Sequence, residues 1–277
     1  DPIFSDVNAM DWTMLPVLLA LGAAVGFMAG LLGIGGGMSI VPLLTILFTA
    51  RDFPPEHVVH MAVATATASM MFTALSSVRA HAQKHAVLWA VVAAMAPGIV
   101  LGSLVGPQIA SALPGRVLAA VFGVFTWSSA TRTLVARPPR AGRELPGRFA
   151  LFGVGAGVGA VSSLLGAGGG FITIPYLGHH NVKIHNAVAT SAALGLPIAI
   201  AGTIGFVVAG LRQPGLPPWS VGYVYLPAMI MIVVASMAVA PVGVSMAHRW
   251  PAAKLRRAFS ALLYALGAYM FWKASRG

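Results

Sequence analysis

Cysteine is absent from the 277 residues. That excludes disulfides, thiolate metal sites and a cysteine nucleophile. Acidic residues number six, namely Asp1, Asp6, Asp11, Asp52, Glu56 and Glu144, and none falls within a long apolar run. Charged residues of both signs reach only 8%, where a soluble domain carries about 25%. A surface so poor in charge is not solvated by water alone, so lipid must cover much of it. Ten-residue alternating strands separated by turn signals are missing too, which sets aside an outer-membrane type of barrel.

What is present is apolar length. Hydrophobic residues make up 58% of the chain, gathered in segments near 14–32, 38–50, 58–78, 86–108, 115–135, 149–165, 170–178, 185–210, 222–246 and 253–274. Many approach the roughly 20 residues a helix needs to cross about 30 Å of hydrocarbon. The fold class is therefore an all-α polytopic membrane protein. The net charge of +11 sits in the short connections, where it reads as topology signal and headgroup contact and not as a nucleic-acid surface. The tail 1–13 holds three aspartates and no basic residue, unlike the n-region of a signal peptide.

The chain repeats itself. Val25-Gly26 and Leu31-Leu32-Gly33-Ile34-Gly35-Gly36-Gly37 return as Val158-Gly159 and Leu164-Leu165-Gly166-Ala167-Gly168-Gly169-Gly170. Pro42 and Pro175 keep the same offset. His60-Met61-Ala62-Val63-Ala64-Thr65 matches His185-Asn186-Ala187-Val188-Ala189-Thr190, and Pro114, Leu118 and Phe122 match Pro251, Leu255 and Phe259. Three blocks in one order indicate an internal duplication. The domain reading is a tail at 1–13, a first repeat at 14–135, a basic, proline-rich linker at 136–148 and a second repeat at 149–277.

Segments 38–50 and 170–178 are too short to span alone. Each is expected to pair with the preceding helix as a hairpin that turns at its glycines inside the bilayer. Five elements per half then place the halves in opposite orientations, as inverted repeats. Twelve Lys and Arg fall on the linker side and five on the other, with the N-terminal aspartates. The positive-inside rule thus puts the linker in the cytoplasm and both termini outside.

Glycine in a helix interior costs about 1 kcal/mol relative to alanine, so three in a row break a helix. Free N–H groups at a new helix start, with the dipole behind them, attract an anion. Two such ends meeting across a pseudo-two-fold axis form a site without a side-chain cation. The expected substrate contacts are Gly33, Gly35, Gly36, Gly37 and Ser39 in one half. Gly166, Gly168, Gly169 and Gly170 answer in the other. For Gly22, Gly26 and Gly30, Gly98, Gly102 and Gly106, and Gly155 and Gly159, small-xxx-small helix packing is the simpler reading.

Hydroxyls gather in the element after each hairpin. Thr65, Thr67, Thr190 and Ser191 are candidate oxyanion donors, against the alternative of bonding their own i−4 carbonyls. Arg79 either snorkels to headgroups or lines a cytoplasmic vestibule. His60 and His185 read as helix-start caps. His179-His180 with His185 has no metal spacing, so neither metal nor cofactor is expected. Proton relays and cation sites in membranes usually need a carboxylate, and an interior without one opposes an anion least.

The doubled glycine motif with Pro42 and Pro175, together with the two Ala-Val-Ala-Thr elements, resembles the TauE/SafE family of sulfite and organosulfonate exporters over about 15–274. The resemblance implies a bacterial inner-membrane permease, without enzyme activity, exporting sulfite, sulfoacetate or a related anion. The partners expected are that small anion, the bilayer and a coupling ion, H+ or Na+; oligomeric state is left open. An anion channel, or a permease for thiosulfate, sulfate or a carboxylate, is the alternative.

Overall fold

The computed structural model describes residues 14–32, 37–83, 85–135, 144–247 and 252–276. Among them are ten helices: α1 Met14–Leu32, α2 Gly37–Ala50, α3 Val58–Gln83, α4 Trp89–Ala112 and α5 Gly115–Val135, then α6 Arg148–Leu164, α7 Gly170–His179, α8 Ile184–Gly210, α9 Leu226–Ala247 and α10 Ala252–Arg276. Before α9 lies a two-stranded hairpin that hydrophobicity alone did not announce, β1 Ser220–Val221 with β2 Val224–Tyr225. Its turn uses Gly222 at φ +56°, a conformation glycine adopts without strain.

Four helices, from Val58, Trp89, Gly115 and Ile184, are long and apolar enough to cross a membrane. α2 has 14 residues and α7 has 10, about 21 and 15 Å at 1.5 Å per residue; neither spans alone. Leu101, Val124, Ile204 and Val234 each expose half or more of their surface, a belt that only lipid can cover. The protein is a multi-pass helical membrane protein.

Packing follows an exchange between halves. α4 lies beside α6, and α1 beside α9. A Cβ on Gly98 would run into Phe152 and Ala156, one on Gly102 into Ala156 and Ala160, and one on Gly106 into Ala160 and Ser163. In return, Gly155 abuts Met95 and Gly159 abuts Ile99. The ascending numbers on both helices make this pair parallel. α1 repeats the device, with Gly22 on Ile232 and Gly26 on Ser236. Small residues let backbones touch where lipid supplies no hydrophobic drive between helices. The Ser103 hydroxyl adds a bond to the Gly159 carbonyl at 3.2 Å.

Two other pairs run antiparallel. Gly195 faces Ala74, and Gly202 faces Thr67, so α8 rises along α3 as α3 descends. On α5 and α10, Gly123 meets Phe271 while Trp127 donates to the Tyr264 carbonyl at 3.0 Å and Ser260 donates to that of Ala130 at 3.3 Å. One end of the bundle collects the starts of α3 and α5 with the ends of α4 and α10. The other end holds Leu88, Leu145 and the α7–α8 connection, which line one cavity.

Candidate functional site

The second glycine run forms a defined break. Leu165 closes α6, Gly166 takes φ +59°, the Gly166 N–H bonds the Ser163 carbonyl at 3.2 Å and the Ala167 N–H bonds that of Ser162 at 2.9 Å. This is a Schellman stop, in which two carbonyls of the last turn are satisfied. α7 then starts at Gly170, with Ile172 and Thr173 N–H groups both on the Gly169 carbonyl. The first amides of α7 lack a carbonyl one turn back and remain available to a ligand.

The first run is described only from Gly37 onward. Gly33, Gly35 and Gly36 lie outside the described residues. Gly37 opens α2 against the Gly166 carbonyl and the Met70 thioether, both of which a Cβ there would strike. A Cβ on Gly168 would stand 3.3 Å from Met70 Cε. Met70 thus neighbours both Gly37 and Gly168, at the midpoint of the 26-residue α3. The start of α2 and the second break lie close together, level with Met70.

Of the other expected contacts, Thr67 and Ser191 lie beside the breaks. A Cβ on Gly166 would be 3.2 Å from Thr67 Oγ1, and one on Gly170 would be 3.4 Å from Ser191 Oγ. Thr67 nevertheless donates to the Val63 carbonyl at 2.8 Å, the local bond typical of membrane helices. Ser39 is buried two residues into α2. Arg79 is exposed and stands nine residues beyond Met70 on α3, about 13 Å along the axis, away from the breaks.

Thr65 and Thr190 hold the halves together. Thr65 Oγ1 accepts the Tyr225 N–H at 3.0 Å, and Thr190 Oγ1 accepts the Leu88 N–H at 3.0 Å. Tyr225 directly precedes α9, and Leu88 directly precedes α4. Each hydroxyl therefore captures the chain entering the fourth helix of the opposite half. Thr65→Val would remove the hydroxyl that accepts the Tyr225 N–H, costing about 1–3 kcal/mol. A lower melting temperature with unchanged substrate affinity is expected. Weakened affinity at an unchanged melting temperature would instead make Thr65 a ligand.

Sequence reading passed over two hydroxyls. Ser162 and Thr173, 1% and 0% exposed, have no hydrogen-bond partner for Oγ or Oγ1 among the described residues. They sit on the two arms of the second break, and a Cβ on Gly169 would lie 3.5 Å from Thr173 Oγ1. Their counterparts at the repeat offset are Ala29 and Ile40, neither of which carries a hydroxyl. A search for matched pairs passes over them for that reason. The signal was a hydroxyl on either side of a helix stop.

The matched histidines diverge. His60 is buried, its Nδ1 3.1 Å from the Glu56 carbonyl and Nε2 3.0 Å from those of Ala110 and Leu113. It seals the C-terminal end of α4. His185 is exposed.

Broken helices meeting inside a multi-pass bundle define a membrane protein of the transporter class. The model of the sulfite exporter TauE/SafE family matches residues 18–270, and the chain belongs to that family. A probable membrane transporter protein of Haemophilus influenzae is 30% identical over 95% of this chain and 100% of its own length. One of Methanocaldococcus jannaschii is 27% identical over 93% and 95%, and YdhB of Bacillus subtilis, also named a probable membrane transporter protein, 27% over 87% and 92%. No solved structure matches the chain. Family and relatives make it a membrane transporter.

Proposed function

We propose that the chain exports a small sulfur-containing anion, sulfite, sulfoacetate or a related organosulfonate, by alternating access at the paired glycine breaks. One observation carries the reading. α2 and α7 both begin at mid-bundle, and Ser162 and Thr173 beside the second start have no hydroxyl partner among the described residues. Free amides and hydroxyls donate to oxyanions, and no carboxylate of the described residues stands within the helices. Gly35, Gly36 and Gly37 would supply amides from the first half.

The exchanged pairing of α1 with α9 and α4 with α6, and the antiparallel α3 and α8, support reading the halves as inverted repeats that move against each other. The basic linker side reads as cytoplasmic, in a bacterial inner membrane, with both termini outside. Export of an anion then runs with an inside-negative potential, worth about 2.3 kcal/mol per charge per 100 mV. H+ or Na+ is the candidate coupling ion, with uniport as the alternative.

A thermal-shift screen of purified protein over sulfite, thiosulfate, sulfoacetate, sulfate and lactate tests the substrate class. Stabilisation by the sulfur oxyanions above lactate is expected. Stabilisation by lactate alone, or by a cation, would overturn the assignment. Met70 neighbours Gly37 and Gly168 and has Gly195 at its repeat position. Met70→Ala should therefore widen the site and raise the transport KM for sulfite relative to sulfoacetate, measured in proteoliposomes. An unchanged ratio would remove Met70 from the substrate path.

A further inference from the structure

A second cavity, of about 630 Å³, opens at the end of the bundle where α3 and α5 begin. We propose that it is an additional oxyanion-binding site: a vestibule that holds a free sulfonate or sulfate on the face opposite the linker. It lies apart from the glycine breaks, since His57 in its wall precedes Met70 by 13 residues, about 20 Å along α3. The proposal rests on the reading of the chain as an anion carrier.

The wall is assembled from separate parts of the chain. His57 comes from just before α3 and His60 from its first turn, Arg116 from the first turn of α5, Gln213 from beyond α8, Tyr223 from the hairpin turn and Lys273 from the last turn of α10. His60 turns both ring nitrogens toward backbone carbonyls, at 3.1 and 3.0 Å, and stacks on Tyr223 at 5.3 Å. It is the floor and not a ligand. Three wall side chains remain that can donate to a ligand: Arg116, Lys273 and Gln213.

Those donors are not consumed internally. Among the described residues neither Arg116 nor Lys273 has an ion pair, and Glu56, the one carboxylate of the wall, is exposed. His57 is 9% exposed with its Nδ1 buried, so it backs the wall and is not counted among the donors. An Arg fork, a Lys point charge and an amide suit a tetrahedral oxyanion, with two positive charges against one negative. A cation would meet donors on most sides.

The location supplies the role. The breaks hold an anion without any side-chain cation, so they exert little pull at a distance. Two cations in a concave mouth on the exit side offer the released anion a favourable way-station off the breaks. Their pull weakens as salt shortens the screening length from about 10 Å at 0.1 M to about 3 Å at 1 M. A lipid phosphate has the same chemistry as a sulfonate, and added phosphatidylglycerol separates the two.

Sulfate binding is measured by calorimetry on the full chain in phosphatidylcholine nanodiscs, because sulfate keeps its charge across neutral pH. Arg116→Gln with Lys273→Gln should weaken one saturable component at least tenfold. That component should persist in Ser162→Ala with Thr173→Val and fade in high salt. An unchanged isotherm in Arg116→Gln with Lys273→Gln overturns the proposal. So does a component displaced by a few phosphatidylglycerol molecules per disc, which would make the cavity a headgroup site. Loss of sulfite transport in Ser162→Ala with Thr173→Val alone, beside intact cavity binding, supports both sites. Intact transport in that variant removes the break site and leaves the vestibule standing.

Discussion

Ser162→Ala with Thr173→Val is expected to lower sulfite transport at subsaturating substrate by about tenfold or more while the protein folds normally. A hydrogen bond to a charged group is worth about 1.5–3 kcal/mol, and about 1.4 kcal/mol is a factor of ten in affinity. Both hydroxyls are buried without a partner among the described residues, so removing them deletes no internal bond seen there. Thr→Val keeps the branched shape. Burying a hydroxyl without a hydrogen bond costs free energy, so the empty protein should be stabilised slightly. A functional ligand predicts opposite signs for the two readouts: melting temperature up, transport down. Transport in proteoliposomes and thermal unfolding of the same preparations separate this from a folding defect. Transport at the wild-type rate would remove both side chains from the site.

Gly102→Leu is expected to abolish folded protein. A Cβ there already collides with backbone of Ala156 and Ala160 on α6, and backbone cannot move aside as a side-chain tip can. The seam has Gly98, Gly102 and Gly106 on one helix and Gly155 and Gly159 on the other, so one wedge separates both backbones along its length. Loss of the monodisperse peak on size exclusion of a fluorescent fusion is the measurement. Gly157→Leu is the control, since nothing stands within 4 Å of a Cβ there, and it should leave the peak intact. A normal peak for Gly102→Leu would mean that α4 and α6 do not touch as described.

The large features were legible because each followed from a rule with few exceptions. Scarce charge and long apolar runs gave a membrane bundle. Repeated glycine motifs marked where α2 and α7 begin, and the small-xxx-small spacings marked packing glycines without naming the helices they meet. The lengths of 38–50 and 170–178 matched α2 and α7 closely, since glycine marks one end of each.

What escaped was set by tertiary contact. The hairpin before α9 is apolar and short, so its residues read as the start of a helix. Thr65 and Thr190 looked like ligands because they match between repeats, yet their acceptor oxygens serve the backbone at Tyr225 and Leu88. Nothing local encodes those partners, which lie 160 and 102 residues away. Ser162 and Thr173 escaped for the opposite reason. A site between duplicated halves need not be symmetric, and Met70 opposite Gly195 departs from symmetry as well.

The central claim is that a small sulfur anion binds at the breaks and crosses by movement of the halves. Counterflow tests it most directly. Proteoliposomes loaded with unlabelled sulfite are diluted into radiolabelled sulfite. A carrier of this kind predicts saturable, transient accumulation of label above equilibrium, lost in Ser162→Ala with Thr173→Val. Flux that rises linearly with sulfite and shows no accumulation would make the protein a channel. No sulfite flux at all, from folded protein, would contradict the claim.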